Sequence, residues 1–191
     1  NPQAKTGGAH FGSRLLWLPD GTLLMSVGDG GNPNIQLDGQ NIRNNAQNPN
    51  AFFGKVLRLT ADGAPAPGNP GADTSKGWDA RLFSIGHRNV QGLALDSKTG
   101  AIWATEHGAR GGDELNRLSA GGNYGWPIVS NGDHYDGRDI PDHPTQPQFT
   151  APVITWNPVI SPAGFVIYSG ERFPGWKGSG FIGGLSSQSL V

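Results

Sequence analysis

Three stretches of this chain repeat one design, with starts roughly 75 residues apart, and that recurrence restricts the fold more than any other feature. RLLWLPDGTLLMSVGD (14–29) places two apolar arms around Asp20-Gly21, a dipeptide suited to a tight hairpin. GLALDSKTGAIWATEHG (92–108) has an apolar arm, a polar turn ending in Gly100 and a second arm running into a polar loop. GFVIYSGERFPGWKGSGFIGGL (164–185) does the same with a longer turn. The apolar runs are short, rich in Leu, Val, Ile and aromatics, and bounded by Gly, Pro, Asn and Asp, which is a strand signature. Further strands are expected at 55–60, 81–85, 114–118 and 152–156. No segment sustains a 3.6-residue apolar period, so helix content should be low.

A repeated all-β unit of this kind points to a β-propeller, here a single domain over residues 1–191. An ordinary blade takes about 40 to 50 residues, so the wider spacing calls for long inserted loops. Those inserts fall at 32–53, 62–79 and 130–150, and loops of that length usually carry function or lie disordered. Periodicity alone also allows a β-sandwich. Gly 31 and Pro 15 make up about a quarter of the chain. They punctuate apolar runs instead of repeating, so they mark tight turns rather than disorder.

With 35% hydrophobic and 15% charged residues and a net charge of -1, the 191 residues have the balance of a soluble globular protein. Nothing in it points to a nucleic-acid or polyanion partner. No apolar run approaches the roughly 18 residues of a membrane span, and the N-terminus has no basic-then-apolar signal pattern. The chain begins without Met, so an upstream segment is expected to have been removed or never included. Cys 0 excludes disulfides and thiolate metal sites and fits either the cytoplasm or an oxidising compartment.

Three sets of residues can carry chemistry. His10 lies just before the first hairpin, and Asp29 closes its second arm, so the turn brings both to one edge of a sheet. A carboxylate there can orient an imidazole and raise its basicity, although Asp followed by two glycines also caps a turn well. GHRNVQGLALD sets His87, Arg88, Asn89 and Gln91 at the start of an apolar strand. Such groups are costly in a core unless satisfied, which favours a loop surface or pocket mouth. Arg offers a planar fork and Asn a directional amide, suited to an anionic, oxygen-rich ligand; bracing a neighbouring loop is the alternative. ATEHGARGGDELN brings Glu106, Asp113 and Glu114 together with Gly108, Gly111 and Gly112. Carboxylates and glycine-exposed carbonyls suit a hard cation such as calcium, though the spacing is not the twelve-residue helix-loop-helix pattern. A solvated strand start after a glycine turn accounts for the same residues.

Taken together, HFGSRL, VGDGG, FGKVLRLTADG, GHRNVQGLALD, EHGARGGDELN and GGNYGWP occur in the order found in one family. They resemble the soluble sugar dehydrogenases that use pyrroloquinoline quinone (PQQ), of the glucose/sorbosone or aldose dehydrogenase type. The likeness covers about residues 10–127 and weakens through SPAGFVIY to FIGGL. It implies a six-bladed propeller with the quinone in a pocket at the top. The chain would supply three to four blades, with the first strands and last blades absent. Isolated blades expose edge strands and half a core, which further chain or a second copy in a homodimer would cover.

The resemblance also assigns roles. His10 would take the proton of an aldose's anomeric hydroxyl as hydride leaves for the quinone, with Asp29 supporting it. Arg88 and Asn89 would hold the quinone oxygens, Arg88 also stabilising charge on the reduced cofactor, and Gln91 would belong to the same pocket. Gly108 and Ala109 would offer carbonyls to a calcium ion at the quinone. Glu114 and Tyr124 would bind a second, structural calcium, with Asp113 in the same loop and Asp133 a looser candidate. Glu106 is left without a role. An aldose substrate, an external electron acceptor and a periplasmic or secreted location follow.

Four departures stand out. Ala9 replaces an Asp beside the catalytic His of the glucose enzymes, and Ala109 a common Pro. Ser186 lies near an expected Lys, and later arginines are missing. Two other functions share the scaffold: a non-enzymatic, calcium-stabilised propeller that binds a protein or glycan, and a calcium-dependent lactonase.

Overall fold

A computed structural model describes residues 8–31, 35–37, 39–73 and 77–191. Parts of two inserts, 32–34, 38 and 74–76, lie outside the described residues. Among the described residues the regular structure is strands and short 3-10 turns. Among the described residues no helix is long and apolar enough to cross a membrane.

All three hairpins form. The first pairs β1 (Gly12–Trp17) with β2 (Leu23–Val27). At its turn Gly21 takes φ 80, and the Asp20 carboxylate accepts hydrogen bonds from the Thr22 backbone N–H and hydroxyl. Two short strands, β3 (Gln36–Leu37) and β4 (Gln40–Asn41), lie in the insert that follows. β5 (Lys55–Leu59) and β6 (Leu82–Ile85) then complete a four-stranded antiparallel sheet of order β1-β2-β5-β6. β7 (Val90–Leu95), β8 (Ile102–Glu106), β9 (Asp113–Leu118) and β10 (Ile154–Trp156) form a second antiparallel meander. A third contains β11 (Pro162–Ile167), β12 (Gly180–Gly184) and β13 (Ser189–Leu190). Each of the seven expected strand regions is therefore a strand.

The first strands of the three sheets stand side by side, β1 against β7 and β7 against β11. They begin at Gly12, Val90 and Pro162, which reproduces the spacing of the sequence repeat. Leu24, Val56 and Phe83 of the first sheet pack on Val90, Leu93, Ala104 and Leu118 of the second. The two sheets are also tied by polar bonds, from the Ser26 hydroxyl to the Val90 carbonyl and from Arg14 Nε to the Gln91 carbonyl. Gly92 lets the third sheet approach: a Cβ there would lie 2.6 Å from Phe165 Cβ.

Each inner strand has an irregular register near its beginning, between Gly12 and Leu15, Val90 and Gly92, and Pro162 and Phe165. Such bulges turn side chains away from the ladder and often flank sites. Here they gather the residues that precede β1 and β7 at one end of the sheets. The outer flanks stay open, with Leu15 and Trp17 of β1 and Val166 of β11 exposed.

Candidate active site

His10 is reached in a left-handed conformation, φ 57. Gly28 makes room for it, since a Cβ there would meet the His10 carbonyl oxygen at 1.8 Å. β2 then delivers Asp29, and His10 Nδ1 lies 2.8 Å from Asp29 Oδ1. The buried Asp29 carboxylate also accepts from Gly31 N and Trp126 Nε1, each at 2.8 Å. Because an ionised carboxylate only accepts, His10 Nδ1 holds the hydrogen, and Nε2 keeps its lone pair as the available base.

The second set enters from β7. The Asp29 N–H donates to the Arg88 carbonyl at 2.8 Å, which fixes the two segments against each other. Arg88 is buried; its Nη1 donates to the His107 carbonyl at 3.1 Å and its Nη2 to the Tyr135 hydroxyl at 3.3 Å. Its Nε is buried with no partner among the described residues. Asn89 Oδ1 accepts from Gly12 N and Gln91 Nε2. Asn89 and Gln91 thus stand next to Arg88, but their paired atoms join β1 to β7, and neither lines the pocket described next.

A cavity of about 240 Å³ opens at this end of the sheets. Of the sequence candidates, His10, Asp29, Arg88 and Ala109 line it. Arg43, Trp126, His134, Tyr135, Asp136 and Arg138 line it too, and residue type and spacing had not singled them out. The one available signal was length: apart from Trp126, these residues come from the inserts 32–53 and 130–150. Burial, then the charges of Arg43 and Arg138, lowers the pKa of His134 from its ordinary value, so this histidine is neutral at pH 7.

The acidic loop divides. Ala109 faces the main cavity, whereas Gly108 faces a smaller one with Glu106, Glu114, Tyr124 and Ser130. Glu106, unassigned from sequence, is a hub: it accepts from His87 Nδ1, the Arg88 N–H and Asn116 Nδ2. Asn116 Nδ2 bonds Glu114 Oε2 as well. Burial, and then the charge of Glu106, pushes the Glu114 carboxyl well above its usual range. Asp113 is a clasp: its oxygens accept from Gly108 N, Ile160 N and Ser161 N. The Tyr124 ring stacks on His87, its hydroxyl donates to the Arg117 carbonyl, and its own carbonyl accepts from His143 Nε2. Asp133 is exposed and pairs through its backbone with Arg110 of the acidic loop. Among the described residues no group of three His, Cys, Asp or Glu side chains converges as a metal site. A cation here would depend on carbonyl oxygens as well as carboxylates.

The family model for glucose/sorbosone dehydrogenase matches residues 1–191. The chain belongs to the glucose/sorbosone dehydrogenase family. Within that family it is 49% identical over 190 residues to an uncharacterized Synechocystis protein, covering 98% of this chain and 46% of the relative. It is 35% identical over 194 residues to the aldose sugar dehydrogenase YliI of Escherichia coli, covering 100% of this chain and 48% of the relative. The chain therefore spans about half the length of these relatives. A crystal structure of glucose dehydrogenase superimposes with a TM-score of 0.85 at 39% identity, over 96% of this chain and 51% of that one. The PQQ-bound aldose sugar dehydrogenase of Streptomyces coelicolor does so with a TM-score of 0.70 at 32% identity, over 98% and 46%. The propeller expectation agrees with these neighbours.

Proposed function

We propose that this chain is part of a quinoprotein, a six-bladed propeller that oxidises the anomeric carbon of an aldose to a lactone and passes electrons to an external acceptor outside the cytoplasm. The observation that carries the reading is the His10–Asp29 pair at 2.8 Å on the wall of a cavity that also holds Arg88. The resemblance assigns His10 as the base, Asp29 as its support and Arg88 as a quinone ligand.

The residues fit a flat, anionic cofactor. Arg88 is a buried guanidinium whose Nε has no partner among the described residues and whose Cζ lies 5.3 Å from the centre of the Trp126 ring. The smaller cavity fits a hard cation, because two buried carboxylates, Glu106 and Glu114, share one amide there beside the Gly108 and Tyr124 backbone. Arg88 and Asn89 would hold PQQ, with Gln91 in the same motif. Gly108 and Ala109 carbonyls would hold the calcium at the quinone, and Glu114 and Tyr124 the structural calcium. Asp113 fixes that loop, and Asp133 stays a peripheral member. When bound, the quinone supplies the acceptor for the hydride from the anomeric carbon.

The chain's own residues do the rest. His10 Nε2 takes the anomeric hydroxyl proton as the carbon–oxygen double bond forms. Asp29 holds the imidazole in the required tautomer and stabilises its protonated form, and Trp126 and Gly31 hold Asp29. Arg88 offers fixed positive charge to the developing anion. The test is reconstitution of the full-length protein with PQQ and calcium, followed by dye reduction with glucose and other aldoses. Turnover that falls by about 100-fold or more in His10→Ala is expected; turnover indifferent to that substitution overturns the reading.

A further inference from the structure

Arg43 enters the cavity from the 3-10 turn Ile42–Gln47. Its Nε is buried and has no partner among the described residues, and its Cζ lies 5.8 Å from the centre of the Trp126 ring. The cavity wall holds three arginines and two aspartates, one more guanidinium than there are carboxylates. Neither aspartate is bonded to Arg43. Asp29 is bonded to His10, Gly31 N and Trp126 Nε1, and Asp136 to Arg138. A guanidinium fork with an unsatisfied buried N–H, held against an indole face, is built for a carboxylate.

Position decides which carboxylate. Asp29 is bonded directly to the base. Arg43 lines the same cavity as His10 and Asp29 and, unlike Arg88 and Trp126, does not line the smaller cavity with Gly108, which puts it on the side where the sugar meets the base.

We propose that Arg43 is a specificity-determining residue that binds a carboxylate on the sugar substrate, so that the preferred substrates are acidic aldoses of the uronic acid class. This rests on the reading of the chain as an aldose dehydrogenase. An acid at the far end of the ring would lie between Arg43 and the Trp126 face while the anomeric hydroxyl meets His10.

The test compares D-glucuronate with D-glucose in the full-length protein loaded with PQQ and calcium. Wild type should favour glucuronate in kcat/KM, and Arg43→Gln should lower the glucuronate-to-glucose ratio about tenfold or more, as expected for loss of a charge-assisted bond. Arg43→Lys, which keeps the charge without the fork, should fall between. Calorimetric titration of the quinone-free protein with glucuronate gives a reading that needs no turnover: binding should weaken about tenfold in Arg43→Gln and weaken with added salt. An unchanged ratio together with unchanged glucuronate binding overturns the proposal. So does an Arg43→Gln variant whose only defect is weaker PQQ binding. If neither sugar is oxidised while glucuronate still binds through Arg43, the dehydrogenase reading fails and the subsite stands.

Discussion

At the scale of single residues, the site turns on how Asp29 distributes its two oxygens. Oδ1 accepts from His10 and Gly31, and Oδ2 from Trp126. Every partner is a donor, so only a group that accepts on both sides fits. Asp29→Asn would set an amide N–H against one of those donors and leave it buried and unsatisfied. The expected outcome is a stability loss of about 2 kcal/mol in chemical denaturation and a fall in aldose turnover of about 100-fold. A variant that keeps full turnover would remove Asp29 from the mechanism. Sequence made His10 and Asp29 legible because a hairpin of known turn must return its second arm beside its first. Trp126 was not legible in the same way, because a tryptophan 97 positions away reaches Asp29 only through the packing of one sheet on the next.

At the scale of elements, strand existence was readable because short apolar runs between turn residues have few alternatives, and the seven expected regions all pair. Less could be read from the inserts. Arg43 and Tyr135 lie in polar segments without periodicity, so only their length marked them. Lys55 shows the same limit from the other side. At a strand start it reads as an ordinary surface lysine, yet it is buried, and its ammonium donates to the carbonyls of Asn45, Ala46 and Phe53. It thereby closes the insert that presents Arg43. The first hairpin carries its own titratable brace. Hydrogen bonds from the Thr22 hydroxyl and N–H, and then Arg58, lower the Asp20 pKa to about 2 from 3.8. A folded pKa below the unfolded one stabilises the fold above about pH 4, and that contribution is lost as pH falls towards 2. Because Asp20 is about half exposed, solvent screening limits the effect to roughly 1 kcal/mol or less. Asp20→Asn should therefore be less stable than wild type at pH 6 and show a smaller loss between pH 4 and 2, as read by urea midpoints. Parallel pH profiles for the two proteins would show that the turn does not use this charge.

At the scale of the molecule, successive sheets touch through their first strands, and the loops at one end have to be held in register with them. The smaller cavity sits at that junction. Gly108 leads from β8, Glu114 belongs to β9, and Tyr124 and Ser130 border the long insert. A calcium ion there would join sheet to insert and offset the burial of Glu114, which otherwise favours the protonated acid. The main cavity touches the same loop through Ala109. Two ions with separate jobs then predict separable losses. Wild type should gain about 2.7 kcal/mol from calcium at 100 times its Kd, and chelation should remove that gain. Glu114→Gln keeps the shape and the hydrogen bond from Asn116 without the charge. It should be at least as stable as wild type in the absence of calcium, gain little when calcium is added, and leave the absorption spectrum of bound PQQ nearly unchanged. Thermal melts with and without calcium, beside a PQQ titration, measure both quantities in one preparation. A variant that keeps its calcium-dependent melting shift but loses the quinone spectrum would assign Glu114 to the cofactor's ion and reverse the division of the acidic loop.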